Sequence, residues 1–215
     1  LLGVLKYPVL HSEVQQAGLT TDTPLNAFKP PKSIHDDEKD VLEWVLEEFS
    51  PHDRDKFRTK TEKEGKRRSQ FKAFDTSIME LADDISYGVH DLEDALALGL
   101  VTERQWREDV LQNALDDSPL IAKADFYHDK LFSPDSRDRK HAISKLIGYL
   151  VPQITVERQQ QFEHPQLDLQ AKLPVEAEHM LELLKRFVFK HVIRSAEVKA
   201  MEFKGQRIIM ALFEA

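Results

Sequence analysis

The sequence predicts a mostly α-helical chain with one small β-hairpin near residues 154–173. Glycine is scarce at 7 of 215 residues, Leu and Ala are abundant, and apolar residues recur at three-to-four-residue spacing over most of the length. At 41% hydrophobic and 32% charged, the chain is long enough for one sizeable globular domain with its own core.

Taken in order, Leu1 to Lys6 reads as the tail of a helix, stopped at Tyr7-Pro8 because the residue before proline disfavours helical geometry. A polar connection runs to Ser33. Asp36 to Phe49 is an amphipathic helix with Val41, Leu42, Val45, Leu46 and Phe49 on one side and acidic residues early, where they complement the helix dipole. Ser50-Pro51 starts a short helix with a capping residue and proline at the first position. Residues 56–72 carry eight Lys or Arg around Gly65 without apolar periodicity and read as an exposed basic loop. The strongest helix spans about Thr76 to Leu98, with Ile78, Leu81, Ile85, Val89, Leu92 and Leu96 on one stripe and Gly99 as its stop.

Thr102 with Gln105 forms a capping-box pattern opening a helix that buries Trp106 and Val110 and fades at Asp116-Asp117-Ser118-Pro119. Ser133-Pro134 opens another through Ile143, Leu146, Ile147 and Leu150, ended by Pro152. Period-two alternation over Ile154 to Leu173 gives the hairpin. Pro174 starts a long helix through Leu181, Leu184, Phe187, Val188 and Val192. Ser195 caps a final one through Val198, Met201, Ile208, Ile209 and Leu212, expected to be core or subunit interface.

A formal charge of −8 argues against a dedicated nucleic-acid binder. The absence of cysteine excludes disulfides, thiolate zinc sites and cysteine nucleophiles, so any metal must be held by His, Asp or Glu. No apolar run reaches the roughly 18 residues of a membrane span, and the expectation is a cytoplasmic protein without membrane contact. An opening at Leu1-Leu2-Gly3 without Met, and a close at Phe213-Glu214-Ala215 on an unfinished apolar pattern, lead to the further expectation of a fragment.

The chemistry-bearing stretch is Glu80-Leu81-Ala82-Asp83-Asp84-Ile85-Ser86-Tyr87-Gly88-Val89-His90-Asp91-Leu92-Glu93-Asp94. On a helix Asp83, Tyr87 and Asp91 fall at i, i+4 and i+8, along one stripe about 80° wide that lies away from the apolar face. Carboxylates beside a phenol could hold a hard divalent cation and orient a polar substrate. Spacing alone equally suits a solvated acidic face with Tyr87 packed at its edge.

The string from Ala82 to Leu96, with the Met79-Glu80-Leu81 lead-in, closely resembles the ADDIAY-x-x-HD-x-x-D segment of the dGTPase-like branch of the HD hydrolases. Leu5-Lys6-Tyr7-Pro8 is similar to that family's LKYP, Val41 to Val45 lies where a similar helix follows, and Glu202 to Ile209 resembles its closing helix. The resemblance implies the multi-helix HD-type fold, here as a single C-terminal portion over residues 1–215. It also implies a frequently hexameric homo-oligomer and hydrolysis of a deoxynucleoside triphosphate, dGTP foremost, to deoxynucleoside and triphosphate. Carried over by residue, Asp83 would be the last ligand of the H…HD…D set for a divalent metal, Mg²⁺ or Mn²⁺. Tyr87 and Asp91 would contact the sugar, Asp91 accepting from its 3′-hydroxyl, and Lys6 and Tyr7 would reach the triphosphate.

The family's other metal ligands lie upstream of LKYP, which here begins at residue 5, so Asp83 is the one ligand expected. No catalytic residue is assigned, and the chain alone is expected to be inactive. The His-Asp dipeptides at His35, His52 and His128 are read as surface structure. A second function class is a non-catalytic oligomerisation or regulatory module. A weak single-stranded nucleic-acid or nucleotide site is conceivable on the basic stretch, where Phe57, Phe71 and Phe74 could stack on bases.

Overall fold

The structure, a computed structural model, describes residues 1–15, 31–63 and 66–214. It is mostly α-helical, as expected. The chain divides into two compact units, Leu1–Leu81 with Val156–Lys172, and Ala82–Thr155 with Leu173–Ala215.

In the first unit, a 3₁₀ turn at Leu2–Val4 takes the place of the expected helix tail, and a tight turn in which the Val9 amide donates to the Tyr7 carbonyl leads to Leu10. Ile34 pairs with this segment: its amide donates to the Val9 carbonyl and its carbonyl accepts from the His11 amide. Helix α1 (His11–Val14) follows. Beyond it come α2 (Lys39–Leu46), preceded by a 3₁₀ turn at Asp36–Glu38, and α3 (Pro51–Phe57). Ser50 caps α3 by accepting from the Asp53 amide, and Pro51 supplies the first position, where a missing N–H costs nothing.

The basic stretch differs from the expected loop. Strands β1 (Lys60–Lys63) and β2 (Lys66–Ser69) form an antiparallel hairpin with Glu62 opposite Arg67 and Thr61 opposite Arg68. Neither strand carries an apolar residue, so no alternation of apolar and polar positions announces the pairing. Glu64 and Gly65, between the strands, lie outside the described residues.

The core of this unit gathers Leu10, Leu42, Leu46, Phe49, Phe57, Ala73, Phe162 and Leu167. Val41, expected on the buried side of its helix, is exposed, because the face that packs is the one carrying Leu42 and Leu46. The expected hairpin is present as β3 (Thr155–Arg158) paired with β4 (Leu169–Lys172), with a short helix α9 (Pro165–Asp168) in the connection. Two buried carboxylates pin that connection: Asp53 accepts from the amides of Glu163 and His164 at 3.0 and 2.9 Å, and Asp168 from those of Gln161 and Phe162. Buried carboxylates persist where such donors replace water.

Helix α4 (Phe74–Ala97) begins in the first unit and continues through the second. In the second unit it buries Ile85, Val89, Leu92 and Ala95, while Ile78 at its start is exposed, contrary to the expected stripe. Gly99, at φ +66°, ends it in the left-handed region that suits glycine. Helix α5 (Glu103–Asp109) opens on the reciprocal Thr102–Gln105 capping box and buries Trp106.

Two short helices not expected from the sequence follow, α6 (Pro119–Ala122) and α7 (Ala124–Leu131), then α8 (Ser136–Leu150) capped by Asp135. Helix α10 (Val175–Val188) buries Ala177, Met180, Leu181, Leu183, Leu184, Phe187 and Val188, and Phe187 meets Trp106 edge-on at 5.7 Å. A π turn at Phe189–Ile193 separates it from α11 (Ala196–Glu214). Asp109 accepts from Lys190 and pairs with His191 at that turn. The α11 apolar residues Met201, Ile208, Ile209 and Leu212 are exposed, so within this chain that helix is not core. Among the described residues, no helix is long and apolar enough to cross a membrane.

Candidate functional site

Helix α4 carries Asp83, Tyr87 and Asp91 at successive turns, as their spacing requires. Asp83 is exposed, whereas Tyr87 and Asp91 are half-buried. Burial raises the Asp91 pKa, with the neighbouring Asp94 charge adding to the shift and His90 opposing it. Burial likewise raises that of the Tyr87 phenol, reinforced by Asp91 and opposed by Lys185. Both groups are thereby held in their protonated forms to higher pH than usual. A half-buried carboxyl beside a phenol can accept from and donate to a neutral hydroxylated ligand.

Lys185, on α10, joins this neighbourhood with no mark in its own stretch of the sequence. Its ammonium bonds Asp84 at 3.0 Å and Glu182 at 2.7 Å. Burial alone would lower its pKa, but the bonds to Glu182 and Asp84 outweigh that and raise it. Its stem crosses α4 at Gly88, where an added Cβ would lie 2.9 Å from Leu181 Cδ1 and 3.2 Å from Lys185 Cγ. Gly88 is therefore the clearance that lets α10 approach the Tyr87 turn. In the sequence Gly88 itself marks such an approach, since a glycine inside a helix costs about 1 kcal/mol against alanine while leaving room for a neighbouring element.

Within the first unit, Lys6 and Tyr7 also sit in a defined setting. Thr76 donates from its hydroxyl to the Gly3 carbonyl at 3.1 Å, docking the start of α4 on the N-terminal turn. One turn later Glu80 meets Lys6 at 3.0 Å, and Lys72 donates to the same Glu80 oxygen at 2.6 Å. Burial would raise the Glu80 pKa, but the bonds from Lys72 and Lys6 prevail and hold it below the usual range. The Tyr7 ring has the Lys6 ammonium 5.9 Å and the Lys32 ammonium 5.5 Å from its centroid, within the range of cation–π attraction.

Among the described residues, no three His, Asp or Glu side chains are grouped to hold a metal ion. Asp83 with its neighbour Asp84, itself engaged by Lys185, does not amount to a metal centre. Of the His-Asp dipeptides, His128 pairs with Asp129 and Glu103 at the surface, as expected. Asp53 departs from that expectation: it is fully buried and serves the connection described above. Of the aromatic residues of the basic stretch, Phe57 is buried, Phe71 packs on Phe162 at 5.0 Å, and Phe74 is half-buried.

Residues 171–215, α10 and α11 included, match the phosphohydrolase-associated domain. The whole chain aligns with proteins described as deoxyguanosinetriphosphate triphosphohydrolase-like. That of Shewanella loihica is 40% identical over 225 residues, taking in 100% of this chain and 51% of the relative. Those of Shewanella baltica (strain OS223) and Shewanella oneidensis are each 43% identical, over 232 and 228 residues, with 100% of this chain and 51% and 52% of the relatives covered. The chain is a relative of the deoxyguanosinetriphosphate triphosphohydrolase-like proteins, and it spans about half the length of the curated relatives it matches.

Proposed function

We propose that this chain supplies the sugar-facing and phosphate-facing residues of an enzyme that hydrolyses a deoxynucleoside triphosphate, dGTP foremost, to deoxynucleoside and triphosphate. The observation that carries the reading is the α4 stripe, with Tyr87 and Asp91 half-buried beside each other and shifted toward their protonated forms, in a chain related end to end to triphosphohydrolase-like proteins. Functional sites are where perturbed titration of partly buried groups clusters.

In this reading Asp91 accepts the hydrogen bond of the sugar 3′-hydroxyl and Tyr87 packs against the sugar. Lys6 and Tyr7 face the triphosphate. Water adds at the α-phosphorus, the bond to the 5′-oxygen breaks, that oxygen takes a proton to become the deoxynucleoside hydroxyl, and the phosphate chain departs as triphosphate. Asp83 contributes one ligand to a divalent cation, Mg²⁺ or Mn²⁺. Catalytic sites of this kind take about three protein ligands, and the described residues do not assemble that number. The reading therefore has the chain inactive by itself.

The test is triphosphate release from dGTP by the complete protein, wild type against Asp83→Ala and Asp91→Asn. Asp83→Ala should abolish turnover. Asp91→Asn should lower the preference for dGTP over its 3′-deoxy analogue by about tenfold or more, since a site built to receive a hydroxyl penalises a ligand lacking it. Unchanged turnover in Asp83→Ala would sink the assignment.

A further inference from the structure

We propose that Lys185 is a positioning residue for the sugar-facing stripe of α4: by holding Asp84 it locks the helix turn before Tyr87 against α10 and fixes the direction in which Tyr87 and Asp91 meet a deoxyribose. This rests on the reading of Tyr87 and Asp91 given above and adds the residue that aims them.

Burial of the ion pair is uneven. The Lys185 side chain keeps 19% of its surface, against 46% for Asp84 and 48% for Glu182. A lysine gives up that much water only against partners that replace it. Pairs that merely balance surface charge leave the lysine stem free to change rotamer. Here the ammonium is held at two points, 3.0 Å from Asp84 and 2.7 Å from Glu182. Glu182 lies one turn earlier on α10 and sets the ammonium's direction on its own helix, so the bond to Asp84 is the one that crosses to α4.

The backbone of α4 is cleared for the same contact. Gly88 comes one turn after Asp84, and a Cβ there would stand 2.9 Å from Leu181 Cδ1 and 3.2 Å from Lys185 Cγ. The Lys185 stem therefore runs along the α4 edge formed by Asp84 and Gly88. Two independent features, a missing side chain on α4 and an ion pair from α10, meet on one helix edge.

That edge adjoins the sugar-facing stripe. On an α-helix Asp91 projects within about 20° of Asp84, and Tyr87 within about 60°, so a roll of α4 about its axis carries all three together. A binding group works only within about 10–20° of its productive direction, and a helix free to roll that far would lose the alignment. The Lys185 charge also reaches the stripe, where it opposes the rise that burial and Asp91 impose on the Tyr87 phenol. Lys185 acts through Asp84 and has no need to touch the sugar.

The experiment is calorimetric titration of the complete protein with deoxyguanosine and with its 3′-deoxy analogue, without metal, so that binding is read apart from hydrolysis. Wild type should prefer deoxyguanosine by about tenfold, the scale of one buried hydrogen bond. Lys185→Met keeps the stem against Gly88, removes the ammonium and should lose most of that preference. Asp84→Asn should lose as much from the more exposed end of the bond, and it gives the same reading if the lysine variant does not fold. Combined, the two should lose no more than either alone, because they break one interaction. Asp109→Asn breaks a different pairing, with Lys190 and His191, and should lower the melting temperature while keeping the preference. An equal loss of preference in Asp109→Asn would show general loosening and overturn the positioning role. An intact preference in Lys185→Met, or a double variant that loses the sum of both singles, overturns it as well. Asp91→Asn separates this role from the reading beneath it. Preference lost in Asp91→Asn but kept in Lys185→Met overturns the positioning role alone. Preference kept in Asp91→Asn, or absent from wild type, overturns the sugar site and the positioning role with it.

Discussion

Asp91 is held in its protonated form to higher pH than an ordinary aspartate, burial being the main cause and Asp94 the second. The sign of its effect on stability follows from linkage. For an acid whose folded pKa is raised, ionisation costs the folded state more than the unfolded one, so the carboxylate destabilises the fold above its folded pKa. Below the unfolded pKa both states are protonated and the cost vanishes. Asp91→Asn should therefore raise the melting temperature at neutral pH, with the gain shrinking to nothing as pH falls below the ordinary carboxylate range. Thermal melts of both proteins from neutral to acid pH check this, and equal melting temperatures at neutral pH contradict it. A side chain kept at a cost to stability is consistent with selection for binding rather than for folding.

At the scale of elements, Gly88 and Gly148 make opposite demands. Replacing glycine by alanine within a helix gains about 1 kcal/mol. At Gly148 in α8 an added Cβ meets nothing within 4 Å, so Gly148→Ala should realise that gain and raise the melting temperature by a few degrees. At Gly88 the Cβ would sit 2.9 Å from Leu181, which is buried and cannot swing aside freely. Overpacking costs about 1–3 kcal/mol, so Gly88→Ala should be net destabilising by about 1 kcal/mol and should loosen the Lys185–Asp84 pair. Denaturant melts of the two variants decide it, and stabilisation by both would show that α10 does not bear on α4 at this point. The same elements show what sequence patterns carry. Capping chemistry places α3 at Ser50-Pro51, α5 at Thr102–Gln105, and the end of α4 at Gly99, because each is a local bond or backbone preference. The start of α7 carries no such mark, since Lys123 makes no side-chain cap. The β1–β2 hairpin escapes an alternation test because neither strand carries an apolar residue. On the candidate site, Asp83, Tyr87 and Asp91 are legible as one helical stripe. Lys185 is far from Asp84 in sequence, and Lys72 and Lys6 meet only through Glu80; no local pattern encodes those contacts.

For the whole molecule, α11 poses the open packing question. Its residues Met201, Ile208, Ile209 and Leu212 share one face with Gly205, and Phe213 is 85% exposed. Apolar area removed from water contributes about 25 cal/mol per Å², so a 19-residue helix with such a face gains several kcal/mol when covered. Within this chain the described residues leave that gain unrealised. The homo-oligomer implied by the family resemblance is one way to realise it, and it makes a definite prediction for the complete protein. Substituting Ile208→Glu together with Leu212→Glu places two carboxylates on the face. If α11 lies in a subunit interface, light scattering on a sizing column should report a smaller assembly, with helical content by circular dichroism unchanged because both positions are exposed in the chain's own fold. If the rest of the polypeptide covers the face instead, the same variant should keep its assembly size and lose melting temperature. An unchanged assembly with unchanged melting temperature would mean that α11 is exposed in the complete protein as well, and the burial argument would fail for it.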